Sequence, residues 1–230
     1  MRILLTNDDG IEADGMCALE SFLRTMPGIL QVVTVAPSEE RSCCGHSVNS
    51  RIPFSFIEVA RDRYAVDSWP ADCVRLAIRH LQFKPDVVLS GINHGGNLGV
   101  DIWMSGTCSA AREAVWLGFP AIALSQYRKP TVETDWQASA VRAWDIISKL
   151  MSRTQSNRGF WNVNLPAIAS QEDMLEPVDC PAELAPLEFT LEPHSDGVLY
   201  RGSYQNRPRS TGSDVDVCFN GRPSVTFCSI

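Results

Sequence analysis

The chain has 230 residues, 44% of them hydrophobic, and a formal net charge of −7. That length supports one sizeable α/β domain with its own core, alone or with a smaller appendage, and the negative charge argues against a general nucleic-acid or anionic-membrane surface, which needs clustered Lys and Arg. No apolar run approaches the roughly 20 residues that span a bilayer, and Ile3-Leu4-Leu5 is too short for a signal-peptide core, so the expected compartment is the cytoplasm.

Arg2 to Thr6 reads as a short buried strand that breaks directly into Asn7-Asp8-Asp9-Gly10. A helical pattern through Leu19, Phe22 and Leu23 follows Asp14-Gly15 and stops at Pro27-Gly28, and Gln31 to Ala36 reads as a second strand closed by Pro37. Beyond a polar loop, Ile52 to Val59 and Tyr64 to Val66 are strand-like. Pro70 suits the first turn of a helix whose apolar face includes Val74, Ala77, Ile78 and Leu81. Asp86 to Ser90 is a buried-type strand, Gly91 to Gly106 a glycine-rich loop, and Ser109 to Leu117 a helix ending at Gly118. A short strand at Ala121 to Leu124 and a helix from Trp136 to Met151 follow.

From Trp161 the character changes: a strand at Asn162 to Leu165, prolines at Pro166, Pro177, Pro181, Pro186 and Pro193, then alternating strands near Val198 to Tyr204 and Val215 to Phe219. The first two thirds thus carry the alternation of βαβ units around a mostly parallel sheet flanked by helices. Residues 166–230 read as β-rich arms attached to that domain. Such arms often exchange between subunits, so a homo-oligomer is expected.

Among the eight cysteines, Cys17, Cys73 and Cys108 fall in apolar helical patterns, and Cys43-Cys44, Cys180, Cys218 and Cys228 have neither zinc nor disulfide-framework spacing. Reduced structural thiols are expected, with redox sensing at Cys43-Cys44 as a minor alternative.

Three loops leave the carboxyl ends of successive strands, where open α/β sheets bind ligands. Each offers hard oxygen atoms: Asp8 and Asp9, then Ser42, then Asn93. Two adjacent carboxylates repel and cannot both be buried as anions without a positive partner. Carboxylate, hydroxyl and amide oxygens suit Mg²⁺, Mn²⁺ or Ca²⁺ rather than zinc. The plainer reading of Asn-Asp-Asp-Gly is a turn in which Asp caps backbone amides, and of Ser42 a loop or capping residue.

An anion site is also indicated. Asn93-His94-Gly95-Gly96-Asn97-Leu98-Gly99 exposes backbone and amide donors, and Ser105-Gly106-Thr107 precedes a helix whose N-terminus attracts anions. Ser105 or Thr107 can equally be an N-cap. His46, in the loop of Ser42, could orient a substrate or protonate a leaving oxygen, or be structural. No Gly-x-Ser-x-Gly elbow and no P-loop occurs.

Taken together, Asn7-Asp8-Asp9-Gly10-Ile11, Glu40-Arg41-Ser42 with Gly45-His46-Ser47, Ser90-Gly91-Ile92-Asn93 through Gly95, Asn97 and Gly99, and Ser105-Gly106-Thr107 resemble, in order and spacing, the SurE family of 5′/3′-nucleotidases. Weaker similarity extends through Asn162-Val163-Asn164-Leu165-Pro166 and Gly212-Ser213-Asp214. The resemblance implies a single Rossmann-like α/β domain over residues 1–230 with C-terminal β-hairpin arms. It also implies one divalent cation per subunit, Mg²⁺ or Mn²⁺, hydrolysis of nucleoside 5′- and 3′-monophosphates, and a homodimer or homotetramer that exchanges C-terminal segments. The family's metal ligands match Asp8, Asp9, Ser42 and Asn93, and its phosphate contacts match Asn97, Ser105, Gly106 and Thr107. Where the family usually has Gly-Thr-Pro-x-Asp-Cys, this chain has Ser68-Trp69-Pro70-Ala71-Asp72-Cys73, so Trp69 either reshapes a base pocket or fills core space.

The expected reaction is cation-assisted hydrolysis in which Asp8 or Asp9 accepts the water proton, His46 serves the leaving group, and donors at Ser105 to Thr107 with Asn97 balance phosphoryl charge. Two rivals stand beside it. One is a phosphatase forming a phospho-aspartate at Asp8, a class that usually spaces its aspartates by one residue. The other is a nucleotide sensor without turnover.

Overall fold

The computed structural model describes residues 1–153, 158–168 and 175–230. In chain order the elements are β1 (Arg2–Thr6), α1 (Asp14–Thr25), β2 (Gln31–Pro37), β3 (Phe56–Ala60), β4 (Arg63–Val66), α2 (Pro70–Arg75, continued by a π turn Leu76–His80), β5 (Val87–Asn93), α3 (Asp101–Met104) and α4 (Gly106–Trp116). They continue with β6 (Ala121–Gln126), α5 (Trp136–Met151), β7 (Gly159–Leu165), β8 (Val178–Asp179), β9 (Phe189–His194), β10 (Gly197–Gly202), a 3₁₀ turn Tyr204–Asn206, α6 (Asp214–Phe219) and β11 (Ser224–Ser229).

Ile3, Leu4 and Leu5 carry no polar side chain among them because β1 is covered on both faces, as parallel strands in α/β proteins are. The alternation of the pleat sends Ile3 and Leu5 into a core with α1 (Leu19, Leu23) and α5 (Ile146, Ile147, Leu150), and Leu4 into a second core with α2 (Val74) and α4 (Ala110, Ala111, Ala114). The nine-stranded sheet runs β3-β4-β2-β1-β5-β6-β7-β11-β8. Strands β4, β2, β1, β5, β6 and β7 are successively parallel, while β3 and β11 run antiparallel to β4 and β7. This is the mostly parallel, helix-flanked sheet expected from the sequence.

Strand β1 has its successor β2 on one side and β5 on the other, so the strand order reverses there. The crevice outside the carboxyl ends of β1 and β5 is therefore the topological switch point, the usual ligand position in such sheets.

The tail departs from its sequence reading. Val215 to Phe219 is not a strand but helix α6, nucleated by Ser213, whose hydroxyl caps the Asp216 amide, with Asp214 and Asp216 in the first turn. The excursion expected from Ile52 begins only at Phe56, since Pro53 lacks an amide hydrogen for a ladder. Helix α4 starts at Gly106, three residues before Ser109, because Ser105 caps it.

Among the described residues, strands β9 and β10 pair only with each other, and every residue of both is exposed. Elsewhere the tail packs inward. Tyr204 Oη donates to Gly96 O (2.8 Å), Arg207 Nη1 donates to Leu98 O (3.0 Å), and the Gly99 amide donates to Asp214 Oδ2 (2.8 Å). The C-terminal segment thus fixes the glycine-rich loop that follows β5.

Candidate active site

At the end of β1 three polar residues divide their tasks. Asn7 closes the turn: its Nδ2 donates to Gly10 O (2.8 Å) and its Oδ1 accepts from Gly10 N (3.3 Å), with Gly10 at φ +106°. That leaves the carboxylates of Asp8 and Asp9 free of turn-capping duty.

Asp8 is 4% exposed and lies at the N-terminus of α4, where Thr107 Oγ1 donates to its Oδ1. Gly106 admits this approach, since a Cβ there would lie 2.7 Å from Asp8 Cβ and 2.8 Å from both Asp8 Oδ2 and Cys44 Sγ. Burial first, and the charge of Asp9 second, push the Asp8 carboxyl up to about 7 even though Thr107 and the helix end favour the anion. Asp9 is pushed up to about 6 by burial, then by Glu40, against the His94 amide donating to its Oδ2 at 3.0 Å and the field of Arg128. Neither carboxylate has an ion-pair partner among the described residues.

The other candidate ligands are brought to this pair by neighbouring contacts. Arg41 N donates to the Asp8 carbonyl (2.7 Å), tying down the loop that carries Ser42. Ser42 is exposed, and its hydroxyl donates to Glu40 Oε1 (2.6 Å). Asn93, the last residue of β5, uses its Nδ2 on Gly95 O (2.9 Å), which leaves the amide oxygen as the end available to a cation. Among the described residues no group of three or more His, Cys, Asp or Glu is placed to hold a metal ion. The candidate donors are two carboxylates, a hydroxyl and an amide oxygen, hard atoms of the kind that suit Mg²⁺ or Mn²⁺.

The anion-binding candidates are partly committed to the fold. Ser105 Oγ accepts from the Cys108 amide (3.0 Å), so its hydroxyl is the N-cap of α4, and the Thr107 hydroxyl is spent on Asp8. The Thr107 amide also favours the Asp8 anion and the Ser109 amide donates to the Ser105 carbonyl, so among the first-turn amides that of Gly106 remains as the donor for an anion. Asn97 is buried in an amide network: its Nδ2 donates to Ser125 Oγ (2.8 Å), its N to Asn164 Oδ1 (2.8 Å), and its carbonyl accepts from Asn162 Nδ2 (2.8 Å).

His46, expected to serve the leaving group, is tied to α4. Its Nδ1 accepts from Arg112 Nε (3.0 Å), its Nε2 pairs with Glu113 Oε2 (2.9 Å), and its ring packs on Trp116 at 4.7 Å. An acceptor Nδ1 sets the tautomer, so Nε2–H donates to Glu113. Both nitrogens are engaged and the ring anchors the Ser42 loop. Trp69 stands beside the same loop, half-buried, with the Arg41 guanidinium 5.4 Å above its ring. Burial and Asp8 push the Cys44 thiol up to about 11, so it stays protonated at neutral pH.

Two residues at the site were not singled out from the sequence. His94 donates its amide to Asp9, accepts from Gly15 N at Nε2 (3.3 Å) and stacks on Trp136 at 4.5 Å. Arg128 lies two residues past the end of β6 and is the cation whose field reaches Asp9. Its place after a strand end was the available signal.

By fold and site this is a doubly wound α/β protein with a hard-oxygen site at its switch point. The family model for Survival protein SurE matches residues 3–180, and the chain belongs to the SurE family. A relative from Nostoc sp. is 40% identical, with 98% of each chain covered. A 5′-nucleotidase SurE from Paramagnetospirillum magneticum is 37% identical over 98% of this chain and 88% of its own. The crystal structure of the SurE protein from Aquifex aeolicus superposes with a TM-score of 0.86 at 32% identity, covering 100% of this chain and 93% of that one.

Proposed function

We propose that this protein is a divalent-cation-dependent phosphomonoesterase that releases phosphate from nucleoside 5′- and 3′-monophosphates. The observation that carries this reading is the Asp8-Asp9 pair at the end of β1, Asp8 buried against the N-terminus of α4 and Asp9 half-buried beside it, neither with an ion-pair partner among the described residues. Similarity to the 5′-nucleotidase SurE of Paramagnetospirillum magneticum supports the 5′ activity.

Asp8, Asp9, Ser42 and Asn93 would hold one Mg²⁺ or Mn²⁺ per subunit. When bound, such a cation supplies Lewis-acid stabilisation of phosphoryl charge and an acidified water. The chain's own contribution is positioning. The Gly106 amide, at the N-terminus of α4, receives a phosphoryl oxygen and stabilises the charge that grows there. Asp9, less buried than Asp8 and without a side-chain hydroxyl on its oxygens, accepts the water proton. Asp8, fixed by Thr107, is poorly placed as a nucleophile, which counts against a phospho-aspartate route.

The hairpin β9–β10 supports a homodimer or homotetramer. Its register puts Phe189, Leu191, Pro193, Val198 and Tyr200 on one face, and Phe189, Leu191, Val198 and Tyr200 are each at least 54% exposed. An isolated two-stranded ribbon with an apolar face is stable only when covered. Free thiols at all eight cysteines fit the cytoplasm. No described helix is long and apolar enough to cross a membrane.

A phosphate-release panel of nucleoside 5′- and 3′-monophosphates, run with Mg²⁺, Mn²⁺ and EDTA, tests the reading. Turnover confined to the cation arms is expected. Tight nucleotide binding with no release in any arm would make the protein a sensor instead.

A further inference from the structure

Outside the Asp8-Asp9 site, the residue whose burial the fold accounts for least is Arg142. It lies on α5, is 8% exposed, and has a buried Nε with no hydrogen-bond partner, and its guanidinium forms no ion pair among the described residues. Taking a cation out of water without a partner is strongly unfavourable, so a buried guanidinium implies an anion that balances it.

Arg142 faces a cleft of about 80 Å³ at the carboxyl ends of β6 and β7, lined also by Gln126, Asp135, Ala138, Ser139 and Pro166. Gln126, Ser139 and Asp135 are committed elsewhere. Gln126 Nε2 donates to the carbonyls of Tyr127, Leu165 and Pro166, and its Oε1 accepts from Ser139 Oγ (2.8 Å). Asp135 Oδ1 caps the Ala138 amide (2.9 Å). Asp135 is the carboxylate whose charge reaches Arg142, but it and Glu133, which also borders the cleft, are exposed, so water screens both. Helix α5 is 16 residues long and directs its N-terminal turn at the same cleft.

We propose that this cleft is a second ligand site, one that takes a single tetrahedral oxyanion of the size of orthophosphate, held by the fork of Arg142 at the N-terminal turn of α5. A planar guanidinium with paired donors matches oxyanion geometry. The volume suits one such ion and is far below the several hundred Å³ of pockets for larger ligands, so a nucleoside is excluded.

The test is thermal denaturation and calorimetric titration of the full chain with inorganic phosphate in EDTA at constant ionic strength, for wild type, Asp9→Asn, Arg142→Met and Arg142→Lys. Phosphate should raise Tm saturably in wild type and in Asp9→Asn alike, whether or not the chain hydrolyses nucleotides. Arg142→Met should weaken phosphate binding at least about tenfold, and Arg142→Lys, which keeps the charge and loses the fork, should fall between. Without phosphate, Arg142→Met should be at least as stable as wild type, because an apolar chain replaces an unbalanced buried charge. The proposal is overturned by an undiminished phosphate response in Arg142→Met, by no saturable response in wild type, or by equal protection from acetate. It is also overturned if phosphate-free Arg142→Met melts well below wild type or fails to fold, since Arg142 would then have a structural partner.

Discussion

Three consecutive residues, Asn7, Asp8 and Asp9, show how one polar run divides between fold and site. The amide closes the turn and the two carboxylates are left at the carboxyl end of β1. The Asp8 carboxyl is raised from the usual 3.8 to about 7, so between those values the folded state binds more protons than the unfolded one. The contribution of Asp8 to the stability of the cation-free protein therefore falls as pH rises from about 4 through about 7 and stays low above. In EDTA at pH 8, Asp8→Asn should raise unfolding free energy by on the order of 2–4 kcal/mol, a gain that vanishes near pH 4. Urea denaturation at the two pH values measures it, and an Asp8→Asn variant less stable than wild type at pH 8 would refute the assignment. At this scale the candidate donors were legible in the sequence, because carboxylate, hydroxyl and amide oxygens at strand ends are the atom types a hard cation selects. The partners were not: the bond from Thr107 to Asp8 joins residues 99 apart, and the capture of His46 by Arg112 and Glu113 depends on how α4 is rotated.

Among the elements, α4 is the one on which the site depends, since its first turn faces Asp8. Ser105→Ala removes the N-cap and should cost about 1 kcal/mol in urea unfolding, with nucleotide hydrolysis reduced by a smaller factor than in any Asp9 variant. Gly106→Ala acts differently. The added methyl meets Asp8 and Cys44 at 2.7–2.8 Å, so activity should fall at least about tenfold and Tm should drop, with far-UV circular dichroism unchanged. Retained wild-type kinetics in Gly106→Ala would show that the turn has room to spare. The strands β1, β2 and β5 and the helices α1 and α5 were readable because burial on both faces or on one stripe leaves a periodic pattern. Helix α6 was not, because Val215 and Val217 alternate with acids like a strand, and the capping hydroxyl of Ser213 decides the outcome.

For the whole molecule, the reversal of strand order at β1 brings loops distant in sequence to one crevice. The tail fastens the glycine-rich loop that follows β5, through Tyr204, Arg207 and Asp214, while the β9–β10 ribbon exposes its apolar face. Replacing Leu191 and Val198 together by serine should convert an oligomer into a species with the mass of one chain by light scattering, with little change in far-UV circular dichroism. An unchanged oligomer would place the interface elsewhere. The most direct test of the site itself is phosphate release from a nucleoside 5′-monophosphate by wild type and Asp9→Asn side by side, with saturating Mn²⁺ or Mg²⁺ and with EDTA. Wild type should turn over only with the cation, and Asp9→Asn should lose at least about a hundredfold while keeping its fold. Full activity in Asp9→Asn, or undiminished turnover in EDTA, would contradict a site built on the carboxylate pair.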